Sequence, residues 1–86
     1  MKDLQITKVA SNAMILTMEG VDHIVSYESV TASVKNGEII ALGSAWDYSV
    51  TTAKHFNMCL RELGLVELAS MPKAKKETYF KERGLI

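Results

Sequence analysis

Trp46-Asp47-Tyr48-Ser49-Val50-Thr51-Thr52-Ala53-Lys54-His55, continued by Phe56-Asn57-Met58-Cys59-Leu60-Arg61-Glu62-Leu63-Gly64, is where the chain changes from strand-forming to helix-forming sequence. Ser49 is suited to cap a helix, its hydroxyl accepting from a free backbone N–H of Thr51 or Thr52. Asp47 is a rival cap. At 3.6 residues per turn Ala53, Phe56, Leu60 and Leu63 form one apolar stripe, flanked by Thr52, Asn57 and Cys59. Gly64 supplies the left-handed residue that closes the helix. Thr51, Lys54, His55, Met58, Arg61 and Glu62 fall on the opposite, solvent-facing side. Met58 is the odd member there, a large apolar side chain among ionic ones.

Upstream of this helix the sequence alternates with period two. Leu4 to Val9, Ala13 to Met18 and His23 to Tyr27 read as strands, separated by turn signals at Ser11-Asn12 and Glu19-Gly20. After a bend at Glu28-Ser29, Val30 to Lys35 is extended again. Asn36-Gly37 is the strongest turn signal in the chain, the pair preferred in type I′ hairpins. A two-residue loop there pairs Val34 with Ile39, Lys35 with Glu38, and Ala32 with Ala41. The last pair would leave a shallow trough that a helix could approach. Ile40 and Leu42 then point to the other face.

Downstream, Leu65 to Leu68 is either an extended connection or a helical turn. Ser70 is a plausible cap with Pro72 in the first turn. A C-terminal helix follows over about residues 71–83, with Met71, Ala74 and Phe80 as its buried contacts. The fold expected is α+β: an antiparallel sheet of four to five short strands over about residues 3–43, the main helix about 49–63 on one face, and the C-terminal helix. An 86-residue chain fits one domain.

Ten acids balance ten bases, so no global field draws nucleic acid or anionic lipid. The distribution is uneven. Residues 1–69 carry five bases and eight acids, a net of −3, and residues 70–86 carry five bases and two acids, a net of +3. One cysteine excludes an internal disulfide, and no apolar run is long enough to span a membrane, so the cytoplasm of the host cell is the expected location and no membrane partner is expected.

No nucleophile elbow, phosphate loop or paired-carboxylate pattern is present, so an enzyme is not expected, nor any cofactor. His55 and Cys59, four apart, could share a metal, but no second pair completes a site, and a packed Cys59 beside an exposed His55 is the expected arrangement. Hydroxyls, a lysine and a histidine at a helix start also suit an anion. With the basic tail this gives a nucleic-acid alternative using Ser49, Thr51, Lys54, His55, Lys73, Lys75 and Lys76.

Tyr27-x-Ser29-x-x-Ala32, the Asn36-Gly37 hairpin and Trp46-Asp47-Tyr48-Ser49-x-Thr51-Thr52-x-Lys54-His55 together resemble a family of small uncharacterised proteins of tailed phages and related mobile elements. The resemblance covers about residues 20–63. It implies a phage or prophage origin and an intracellular role, and supplies no activity. The function expected is a small non-enzymatic binding protein that engages a host protein, with inhibition of a defence or metabolic complex as its effect. Its surface would be the stripe Thr51, Lys54, His55, Met58, Arg61 and Glu62, which could also serve a homodimer.

Overall fold

The computed structural model describes residues 4–86, with Asp47 described by its backbone alone. The expected start of the sheet near Asp3 lies outside the described residues. Five strands, β1 (Gln5–Ala10), β2 (Ala13–Met18), β3 (Val21–Ser26), β4 (Ser29–Lys35) and β5 (Glu38–Leu42), form one antiparallel sheet in sequence order. A 3₁₀ turn at Ser44–Asp47 leads into α1 (Val50–Glu62), then α2 (Val66–Ser70) and α3 (Lys73–Glu82). The fold is α+β, with a main helix and a C-terminal helix beside a five-stranded sheet.

The tight turns follow from residues that accept positive φ. Glu19-Gly20 and Asn36-Gly37 both place two successive residues there, as a type I′ turn requires. Tyr27 also has positive φ (55°) and belongs to the β3–β4 turn rather than to the third strand.

The hairpin register is partly as expected. Val34 pairs with Ile39 and Lys35 with Glu38, but a bulge between Ser33 and Val34 then sets Ser33 opposite Ala41 and Ala32 opposite Leu42. The Ala32/Ala41 trough therefore does not form, and Leu42 packs on the core face with Ala32. Close approach is provided instead by Gly43, whose N–H donates to Thr31 O at 2.8 Å as the chain leaves the sheet. A Cβ on Gly43 would sit 2.6 Å from Val30 O.

One face of the sheet carries the core. Ala13, Ile15, Ile24, Ala32, Val34 and Ile39 meet Phe56, Cys59 and Leu60 of α1, with Leu68, Ala69 and Phe80 closing the other side. Trp46 is buried between them, its ring 5.6 Å from Phe56 and 5.0 Å from Phe80, the latter edge-on. Offset and edge-on rings of this kind add to the stabilisation from area burial alone.

The C-terminal region departs from expectation in two places. Leu65 N–H donates to Leu60 O and Gly64 N–H to Arg61 O, a Schellman closure of α1 that directs the chain straight into α2. Ser70 is thus the last residue of α2, and Pro72 occupies the cap position of α3. Ala74 is exposed, and the buried residues of α3 are Lys76 and Phe80.

Candidate binding surfaces

The Tyr-Ser-x-Thr-Thr-x-Lys-His segment divides by direction. Ser49 Oγ accepts from Thr52 N–H at 3.1 Å and lies 3.1 Å from Thr52 Oγ1, and Thr52 is buried, as expected of a cap and a packing residue. His55 is not exposed as expected. It is buried on the face of α1 that meets the sheet, its Nδ1 2.9 Å from Ser26 Oγ, with the Tyr27 ring tilted over it at 5.5 Å. The buried stripe of α1 is Thr52, His55, Phe56, Cys59 and Leu60, rotated from the expected one, so that Ala53 and Leu63 are only half-buried. The cause is Ser26, 29 residues away, which offers the imidazole a partner inside the fold and lets a polar side chain be buried without loss.

Thr51, Lys54, Arg61 and Glu62 are exposed, as expected. Met58 is half-buried rather than standing in water. Reading the sequence missed the most exposed apolar side chains at this end of α1. Tyr48 is 83% and Val50 88% exposed, and Tyr27 is half-exposed at the flank. Val50 could have been found, since on the helical wheel it projects onto the same crest as Arg61 and Lys54.

The phosphate set is not assembled. His55 points inward, and Lys76 is buried, its Nζ donating to Met71 O at 2.8 Å and Ala69 O at 3.2 Å. The lysine thereby caps the C-terminal end of α2, where carbonyls lack helical partners and a cation is favoured. Burial, and secondarily the Arg61 charge, holds its ammonium below the usual lysine range. Ser49, Thr51, Lys54, Lys73 and Lys75 remain at the surface. Cys59 is fully buried, and burial with the nearby Glu62 pushes its thiol up to about 11. Among the described residues no group of three or more His, Cys, Asp or Glu side chains could hold a metal ion, and no helix is long and apolar enough to cross a membrane.

A second surface lies on the back of the sheet. Residues paired across strands share a face, so the rows Ile6–Leu16–His23–Ser33–Ala41, Lys8–Met14–Val25–Val30 and Met18–Val21 all point away from the helices. Ile6, Met18 and Val30 are exposed there, and Met14, Leu16 and Val21 half-buried. Leu4, Met18, Val21, His23, Glu19 and Lys35 surround a trough of about 450 Å³ on this face. His23, in its wall, has Nδ1 2.7 Å from Ser33 Oγ.

No curated protein and no solved structure matches the chain. Residues 3–79 match a family description, a span that takes in the sheet, α1 and most of α3. With these elements in place, the chain belongs to the Family of unknown function (DUF8033).

Proposed function

We propose that this is a small non-enzymatic binding protein of phage type, which engages a host protein and so hinders a defence or metabolic complex. The observation that supports this reading is the division of labour at the start of α1. Ser49, Thr52 and His55 fasten the helix, while Tyr48 and Val50 stand almost wholly in solvent beside Thr51 and Lys54. Exposed aromatic and apolar side chains beside a fastened helix start suit the anchor residues of an interface. Lys54 and Arg61 on the same crest select a partner surface with an acidic patch, by charge complementarity. Glu62 and half-buried Met58 border it.

The nucleic-acid alternative has less support, because His55 and Lys76 are spent inside the fold. Host lysate passed over the immobilised protein distinguishes the two readings. The wild type should retain a host protein, and Tyr48→Ala with Lys54→Glu should lose it while stability stays within about 0.5 kcal/mol. Equal capture by the variant would refute the surface. Steeply salt-dependent binding of DNA or RNA in place of protein capture would favour the alternative.

A further inference from the structure

An antiparallel sheet with one face in water normally alternates apolar-in and polar-out. This sheet does not. Its back presents Ile6, Met14, Leu16, Met18, Val21 and Val30 around a buried Val25, with His23 and Ser33 satisfying each other between them. The buried cluster lies wholly on the helix side, and in the rows of the back only Val25 and Ser33 are buried. We infer that the back of the sheet is a homodimer interface, in which two copies stack face to face as a β-sandwich.

Three features favour a second copy as the occupant. The first is area. Five strands spaced about 4.8 Å, each about six residues at about 3.3 Å, give a face of roughly 24 by 20 Å. Two such faces remove roughly 1,000 Å² from water, the lower bound for a specific interface. The second is charge. Lys8 and Lys35 are balanced by Glu19 and Glu38 around the apolar centre, so the face does not repel its own copy. The third is shape, because twisted sheets pack on one another about 10 Å apart with their inner side chains interdigitating. The crest of α1 takes no part in this interface, which therefore stands or falls separately from engagement of a host protein.

Sedimentation equilibrium from about 1 μM to about 1 mM tests it, a range that spans weak to moderate association. The wild type should run at twice its 9.5 kDa chain mass in the upper part of that range. Ile6→Lys with Met18→Lys should raise the dissociation constant at least about 100-fold, with an unchanged far-ultraviolet spectrum. Lys54→Glu on α1 should leave it unaltered. A wild type that stays monomeric throughout overturns the inference, as does a dimer that ignores the sheet changes and breaks with Lys54→Glu. Should the double variant not fold, isotope-filtered spectra of mixed labelled and unlabelled wild type decide the matter. Contacts between copies must then appear at the methyls of Ile6, Leu16, Met18 and Val21, and their absence in a dimeric sample overturns the inference.

Discussion

The two faces of the sheet are built from the same kinds of side chain and differ in what lies against them. The inner face places Ile15, Ile24 and Val34 on the helix side and buries them, whereas the outer face leaves Ile6, Met18 and Val30 in solvent. Each face also holds one serine–histidine pair, Ser26–His55 inside and Ser33–His23 outside. Composition thus does not tell a core face from a bare one. Only the helices that return to cover one side do so, and the contrast can be probed site by site.

The largest effect should come from the inner face. Phe56 is buried against Trp46 and Phe80, and Phe56→Ala opens a cavity that neighbouring rings cannot fill, costing about 3–5 kcal/mol in denaturant melts. Ile6→Ala on the outer face should cost less than about 1 kcal/mol for the isolated chain, because Ile6 is already 62% exposed. Similar losses at both positions would mean that the outer face is covered in solution.

Much of this arrangement was legible in the sequence because it is set locally. Period-two alternation gave the strands, Asn36-Gly37 the hairpin, and Ser49 and Gly64 the ends of the main helix. What escaped notice depends on contacts between distant residues. The rotation of α1 that buries His55 needs the Ser26 hydroxyl on β3, and nothing near His55 in sequence announces it. Bulges at Ile24/Val25 and Ser33/Val34 shift the register without any glycine or proline to mark them. Lys76 reads as a solvated base until the carbonyls of Ala69 and Met71 are placed beside it. At the candidate surface, the exposed ionic residues of α1 were foreseeable from the helical wheel. The exposure of Tyr48 was not, since an aromatic next to a buried Trp46 reads as core.

The serine–histidine pairs give the second test. Ser26→Ala leaves His55 Nδ1 inside the fold without a partner and should cost about 1–2 kcal/mol. Ser33→Ala should cost less than about 0.5 kcal/mol in the monomer, because half-buried His23 can turn to water. Thermal melts of the two variants at the same low protein concentration make the comparison. A costly Ser33→Ala would mean that water does not reach His23.

The smallest effect concerns sulfur on the two faces. Met18 on the outer face is exposed to oxidants, whereas Cys59 on the inner face is sealed and its thiol is pushed from 9.0 up to about 11 by burial and then by Glu62. The thiolate is the reactive form, so in the folded monomer at pH 8 Met18 should oxidise with peroxide while Cys59 resists iodoacetamide. The same shift has a thermodynamic sign. Between pH 9 and 11 the folded chain keeps a proton at Cys59 that the unfolded chain has released, so its contribution to stability is intact below pH 9 and declines towards pH 11. Lys76 acts in the opposite sense. Its ammonium is held below 10.5, so the unfolded chain binds the extra proton there and stability gains as pH approaches that value. The comparison is therefore made between wild type and Cys59→Ala. Melting temperatures measured from pH 8 to 10 should fall more steeply for the wild type, and equal slopes would show that Cys59 is open to solvent, which would place a gap in the inner face rather than the outer.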